Sequence, residues 1–578
     1  MARRSRGRYE SDHARRCDRL SDRRDRHDAS GAPRCAAVGS GGGRKRERAQ
    51  STLDDICARH RRPATRRATP RHVADVCRRR RSGAARIRGC PGHASLAVIR
   101  STFATLNLAN RALVSQQLAL DITAHNIANA NNDGFTRQAA EMIASVPFTV
   151  VGTTRPQQAA QLGTGVDVAN VKRFRDGFVD LQFRQEHQLL GQWEATDSAV
   201  SRLEQSLNEP STDGLAASLS KFWNDWSALA NTPESQAGRK ALAESALTMT
   251  SQMNNLHRTW EGMQRDLDRQ VGLRVQDINN LTVRIARLND QITRVSGAGD
   301  QPNDLRDQRD VLIDQLAKIV NLTYTEGSNG AVTINIGGRT AVFSNQAFNL
   351  TIQTDPTNPD GFNQVMWEDK FRSDQIPPLA LDPVLITSGQ LFGDLYGRDT
   401  IVAKALEKLQ SLGATLITRV NEAHALGFGL NDQTGLPFFD GTGADDITVS
   451  EVITGDLDNI AAASSQLAPG DGSNALDIHD IQRELAMDNQ SATMEDSYAG
   501  LVAEIGILSQ QAAGMKANEK LLSSHLSQLR QSIGGVSLDE EATNLMRYQH
   551  AFNAAARVVT VVDEMLDRII NNMGIVGR

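Results

Sequence analysis

Read from Leu545, the apolar positions step by three and four without a break: Leu545, Tyr548, Phe552, Ala555, Val559, Val562, Leu566, Ile569 and Met573. That is the a/d seam of a helix laid against other helices. The stretch SLDEEATNL opens it, with Ser537 as N-cap, Glu540 as capping-box partner, and Asp539 and Glu541 in the positive first turn. Gly574 supplies the stop. A matching pattern lies near the other end. Leu106, Ala109, Leu113, Leu120 and Ile127 keep one phase, from a cap at Ser101 or Thr102 to the breaker run ANANNDG that ends at Gly134. Neither helix can hide its own seam, so the two ends are expected to pair with each other or with other copies.

Between these ends the period changes several times. Residues 135–185 alternate at Val146, Phe148 and Val150, then at Val166, Val168 and Val171, which predicts short strands or a hairpin. Helix is predicted from about Asp176 to Asn208, with Leu190, Trp193, Thr196, Val200, Leu203 and Leu207 on its seam. A second covers 212–232, with Leu215, Leu219, Trp223, Trp226 and Leu229 inward. A third runs from Ser235 to Ser296, in phase from Met249 to Val295. At ~1.5 Å per residue it is a rod of roughly 90 Å, longer than an enzyme core needs. A fourth follows from Pro302 to about Val320.

Over 322–387 the period drops to two, with Val332, Ile334 and Ile336 before a Gly337-Gly338 turn, predicting a small inserted β domain. Helix returns over Ser388–Ala425, a second β-rich patch is predicted at 428–470, and helix again from Ile478 to Ile533. The fold class expected is mainly α, elongated and multidomain (α+β). Terminal helical segments, 98–175 and 534–578, pair as a coiled-coil-like base. A helical bundle stalk spans 176–321 and 388–533, and residues 322–387 form the β insert.

Composition changes this picture at one place. Residues 1–95 hold 27 Lys+Arg and 10 Asp+Glu, while the remainder holds 37 basic and 58 acidic residues. All five cysteines, Cys17, Cys35, Cys57, Cys77 and Cys90, lie in that first part. A basic tail of this kind suits nucleic acid, but no binding fold and almost no aromatic residues accompany the arginines. A zinc site would need paired cysteines, and spacings near twenty residues do not supply them. Excess Arg, Ala and Gly without periodicity is also what GC-rich upstream DNA yields when translated. Residues 1–97 are therefore read as an Arg-rich extension, either disordered or upstream of the true start. No apolar h-region marks a cleavable secretory signal, and no run approaches the ~18 apolar residues of a membrane span.

Candidate chemistry is sparse. His125 and His424 have no second ligand at i+3 or i+4 and read as core or surface histidines. LNDQTG at 430–435 and DGTGADD at 440–446 lack the EF-hand order and read as turns. The carboxylates of NDLRDQRD alternate with arginines, which predicts salt bridges on a helix surface. No catalytic residue, cofactor site or metal site is expected.

Several stretches resemble the axial proteins of the bacterial flagellum. LDITAHNIANA is similar to rod and hook proteins generally, and the GFTRQ after it is similar to the hook–filament junction family. The likeness continues in LGTGVDVANVKRFRDGFVDLQFR, NDLRDQRDVLIDQLAKIV and RVNEAHALGFGLNDQTGLPFF, and closes with the C-terminal seam. It covers 98–578, is weakest in the β insert, and has no counterpart in residues 1–97, so a mature start near Val98 is expected. The resemblance implies a non-enzymatic structural protein, exported through the flagellar type III pathway without a cleavable signal and located outside the cell at the hook–filament junction. Its implied partners are the hook protein, the second junction protein, copies of itself in a ring-like layer, and a cytosolic export chaperone, with no nucleic acid and no membrane. The assembly interface would be Leu106, Leu113, Leu120 and Ile127 with Leu545, Tyr548, Phe552, Val559, Val562, Leu566, Ile569 and Met573. The alternative is another axial or type III-secreted coiled-coil protein, hook/rod-like or translocator-like. The translocator form should carry a membrane-inserting apolar run, which is absent here.

Overall fold

A computed structural model describes residues 102–147, 163–355, 361–368 and 384–572. Contacts divide the chain into two units, Met1–Ser95 and Leu96–Arg578, and all described residues belong to the second. Val98, the Ser101 cap, Phe148, Val150, Met573, Gly574 and the five cysteines lie outside the described residues.

Helix α1, Thr102–Ala128, ends at the start of the expected breaker run, whose last residue, Gly134, takes φ +85°. A hairpin follows, β1 (Gln138–Ala144) antiparallel to β2 (Val166–Arg173), with a bulge where Glu141 pairs Asn170 but Met142 pairs Val168. Val146 falls past the end of β1 and is exposed. Helix α2, Gly177–Leu207, is capped by Asp176, whose carboxylate accepts from Phe178 N, and ends at left-handed Asn208. Helices α3 (Leu215–Asn231), α4 (Gln236–Gly297) and α5 (Asn303–Ile319) follow. The Ser235 hydroxyl caps α4, which runs for 62 residues, about 93 Å, without interruption at Gly262 or Gly272.

The β insert holds one antiparallel sheet, β3 (Leu322–Glu326), β4 (Val332–Ile336), β5 (Arg339–Phe343) and β6 (Gln346–Ala347), in sequence order. A separate two-stranded ladder pairs β7 (Leu350–Thr354) with β8 (Asn363–Trp367). Val332, Ile334 and Ile336 face inward as their alternation requires. Gly337 and Gly338 make the turn with φ +56° and +82°, a conformation open to glycine at little cost.

Three sequence expectations need correction. The helix expected over Ser388–Ala425 is divided into α6 (Gln390–Tyr396), a π-helical turn (Gly397–Val402) and α7 (Ala403–Leu426). The turn presents buried Arg398 to Asp268 of α4 at 2.6 Å and to the carbonyl of Asn363 at 2.8 Å, tying the β insert to the bundle. The patch expected to be β-rich at 428–470 has a two-residue ladder, β9 (Phe439–Asp440) with β10 (Thr448–Val449), a single antiparallel bridge between Phe428 and Ala463, the short helix α8 (Glu451–Gly455) and a 3-10 turn at Leu457–Asn459. Side chains meet its backbone instead: Asn421 Oδ1 accepts from Phe438 N and Phe439 N, and Asp446 Oδ1 accepts from Thr442 N and Gly443 N. The helix expected over 478–533 is α9 (Ser473–Asp480), a break, and α10 (Met494–Gly534). Asp488, Asn489 and Gln490 all take positive φ, and a Thr493/Asp496 capping box restarts the helix. The last helix, α11, spans Leu538–Asn572.

Two cores share α4 as their spine. The first packs Leu242–Leu267 of α4 against α3, the upper part of α2, α7, α9, the start of α10 and the 438–462 loops. Trp223, Trp226 and Trp260 are fully buried there, and the Trp260 indole N–H donates to Ser206 Oγ. His424 is part of this core, edge-on to Trp226 and Phe438. Its Nδ1 lies 2.7 Å from the Leu436 carbonyl and its Nε2 accepts from Ala461 N, so the ring is neutral. Burial pushes its pKa down to about 4. The second core packs Val271–Ala286 of α4 with α5 and the β insert.

Candidate assembly base

Helix α1 lies between α11 and the β1–β2 hairpin, so it has two partners rather than one. Leu106, Leu113 and Leu120 are half-buried and Ile127 is exposed. Its buried positions are Ala109, Ser115, Ala119, Thr123 and Asn126. Small side chains let the hairpin backbone approach. Ser115 Oγ donates to the Val166 carbonyl at 3.2 Å, and Gly165 sits over the α1 backbone at Leu108 with φ +120°. Apart from Ala109, these positions lie off the leucine phase.

On α11 the seam Leu545, Tyr548, Phe552, Val559 and Leu566 is half-buried, Val562 is buried at 4% exposure, and Ile569 is exposed. Asn126 of α1 meets Glu541 of α11, so the pair is antiparallel. Counting outward from that contact, Thr102 reaches about as far as residue 565, and Ile569 lies beyond the described part of α1. The first turn of α11 differs from the expected capping box: Glu540 pairs with Arg137 Nη1 at 2.9 Å. Glu541, 2% exposed, takes Arg137 Nε at 2.8 Å and Asn126 Nδ2 at 3.0 Å. Asn126 also brackets Gln138, donating to its carbonyl and accepting from its N–H. Arg137 N donates to the Gly534 carbonyl, which ties the hairpin to the end of α10.

Behind the hairpin stands a buried ion lattice. The expectation that NDLRDQRD forms salt bridges on a helix surface is right about pairing and wrong about place. Asp307 and Asp310 are 4% and 8% exposed, and their principal partners come from other elements. Arg173 reaches Asp307 at 2.6 Å and Asp310 at 3.2 Å, and Arg175 reaches Asp310 at 2.9 Å and also pairs with Asp180. Arg184 joins Asp310 to Asp314, and Arg530 of α10 joins Asp180 to Asp314. Thr136 donates both N–H and hydroxyl to Asp307. Burial alone would raise the Asp310 carboxyl, but Arg175, Arg184 and Arg173 hold it below its ordinary range. The lattice links β2 and the residues after it to α2, α5 and α10.

Among the described residues no cluster of three His, Cys, Asp or Glu could hold a metal, and no helix is long and apolar enough to cross a membrane.

Residues 200–439 match the model of the flagellar hook-associated protein FlgK helical domain, and residues 531–573 that of the flagellar basal body rod FlgEFG protein C-terminal domain. Flagellar hook-associated protein 1 of Bacillus subtilis is 32% identical over 507 residues, covering 83% of this chain and all of that one. The chain belongs to the flagellar hook-associated protein 1 family. The Escherichia coli member is 26% identical, covering 81% of this chain and 99% of its own length. The solved structure of the flagellar hook junction protein FlgK from Burkholderia pseudomallei shares the fold, with a TM-score of 0.54 at 16% identity over 61% of this chain and all of that one. Membership makes this chain part of a family of structural flagellar proteins. The rod-type match falls on the end of α10 and on α11, the same stretch that carries the C-terminal seam.

Proposed function

We propose that the α1–α11 pair and its seam residues are the surface through which this chain packs into the flagellar axis. As a member of the hook-associated protein 1 family, the chain is a structural component of the junction between hook and filament. On this reading copies form a ring-like layer outside the cell, with the hook protein on one side and the second junction protein on the other. The protein arrives by type III export without a cleavable signal, and a cytosolic chaperone covers the C-terminal seam beforehand. In this scheme residues 98–175 and 534–578 are the assembly domain, and the bundle and β insert stand away from it.

One observation carries the reading: the helix pair does not cover its own apolar surface. Phe103, Val114 and Leu118 of α1 and Val558, Val561, Met565 and Ile570 of α11 are exposed, while Val562 between them is packed. So much apolar surface on so thin a module marks a contact with other chains. The test separates the two kinds of position. Val562→Asp puts a carboxylate inside the pair and is expected to unpair the helices, at several kcal/mol. Val561→Asp sits on the outside and should leave the pair folded. Both proteins should be soluble with normal stalk helix content, and neither should add to isolated hooks. Normal addition by Val561→Asp would sink the proposal.

A further inference from the structure

Helices α2 and α10 pack antiparallel, tied by Arg530 to Asp180 near one end and by Lys516 to Asp197 further along. Between these ion pairs α10 buries an acid. Glu519 is 5% exposed, and its Oε2 is sealed from solvent with no N–H or hydroxyl donor. The group it meets is a second acid, Glu186 of α2, and the two carboxyls share a hydrogen bond. Two carboxyls can do so only while one of them carries a proton. One turn further on, Ser523 is buried with its hydroxyl 3.2 Å from His187 Nδ1. Successive turns of α10 therefore face the neighbouring residues Glu186 and His187 of α2.

The cations nearby are already matched. Lys516, one turn before Glu519, holds Asp197 at 2.7 Å, and Lys318 of α5 holds Glu194 at 2.7 Å. Arg530 is shared between Asp180 and Asp314. Lys520 follows Glu519 by one residue, about 100° round the helix, and is exposed. Burial and Lys318 hold the His187 imidazole below its ordinary range, so it is neutral at neutral pH and above. Burial, with Glu186 alongside, pushes the Glu519 carboxyl up to about 7.

We propose that Glu519 and Glu186 form a proton-held clasp, which fastens the C-terminal half of α10 to α2 in acid and neutral medium and loosens it in alkali. Once Glu519 ionises, two like charges stand in contact and the buried Oε2 has no donor. The clasp's contribution is complete below the unfolded glutamate range and is lost as pH rises through about 7. The loosened segment leads to Gly534, whose carbonyl accepts from Arg137 N. The clasp does not rest on the assembly reading given above.

The experiment follows hydrogen exchange in the full chain, corrected for the intrinsic effect of pH, at about pH 5.5 and about pH 8.5. In the native chain the amides of residues 515–530 should open about tenfold more at the higher pH, while the first half of α4 keeps its protection. Glu519→Gln gives Glu186 an amide donor at every pH and should remove the difference. Glu186→Gln changes a half-buried residue and removes the like charge; it should shrink the difference and serves if the first variant does not fold. Carbon NMR of chain labelled at the glutamate carboxyls should show Glu519 titrating at about 7, and lower in Glu186→Gln. A Glu519 carboxyl that titrates in the ordinary glutamate range, or equal quickening in Glu519→Gln, overturns the clasp.

Discussion

Replacing Asp310 with Asn tests the ion lattice with little change in shape. Asp310 accepts from Arg173, Arg175 and Arg184 at 3.2, 2.9 and 3.3 Å. Asn keeps one acceptor oxygen, loses the charge, and turns an NH₂ group toward guanidinium groups. Removing one partner of a buried ion pair costs about 3–5 kcal/mol. Each arginine retains a second carboxylate, Asp307, Asp180 or Asp314, which argues for the lower end, about 3 kcal/mol. At 1.36 kcal/mol per tenfold that is roughly a hundredfold more local opening. Hydrogen exchange should therefore quicken about a hundredfold across β2, the first turns of α2 and α5, while α3 and the first half of α4 keep their protection. The pH dependence supplies a second check. The folded Asp310 carboxyl titrates below its ordinary value. Its contribution is present above the unfolded carboxylate range and is lost as pH falls through the folded value. The difference between the native chain and Asp310→Asn should accordingly close in acid. Unchanged exchange in β2 and α5, or a uniform rise across the whole chain, would refute the reasoning.

Two further outcomes are expected. His424 titrates at about 4 against an ordinary 6.5, so its share of stability is complete above pH 6.5 and is lost as pH falls toward 4. That amounts to about 3 kcal/mol, readable as a lower urea midpoint for the first core; an imidazole titrating near 6.5 by NMR contradicts it. A glycine pair gives opposite signs. Gly262→Ala meets no atom within 4 Å and should stabilise α4 by up to about 1 kcal/mol. Gly413→Ala would place Cβ 2.5 Å from the backbone nitrogen of Ala444 and should cost about 1–3 kcal/mol, and thermal melts of both proteins decide it.

What could be read from the sequence follows from which forces act locally. Helices α2 to α5 were legible because apolar side chains recur every three or four residues over many turns, and Trp223 and Trp226 sit on that phase. The strand pattern at Val332–Ile336 was legible for the same reason at period two. The ion lattice was not, because Arg173 and Asp307 are 134 residues apart and alternating charge reads as a solvated face. On the inward face of α1 only Ala109 lies on the apolar phase; Ser115, Ala119, Thr123 and Asn126 carry no apolar periodicity to mark them. The π-helical turn at Gly397 depends on close approach to α2, where a Cβ would meet Ala199 at 2.9 Å, and no local signal announces it. The loops around Phe438 alternate like strands, yet they are held by Asn421, a residue 17 positions earlier.

The contacts that join the two ends of the chain also set an order of events. Asn126 and Glu541 are separated by 415 residues, and Arg137 and Glu541 by 404. The β3–β4 hairpin and the α4–α5 turn, by contrast, close over a few residues. Loop-closure entropy grows with separation, and non-local pairings form late. On the ribosome the base cannot close until the residues after 541 have emerged, whereas the second core needs only residues up to Leu391 and the first needs those up to Ile505. Through most of its synthesis the N-terminal helix therefore has the β1–β2 hairpin beside it but not its α11 partner. Contact order makes the closing of that base the slow, last step of folding.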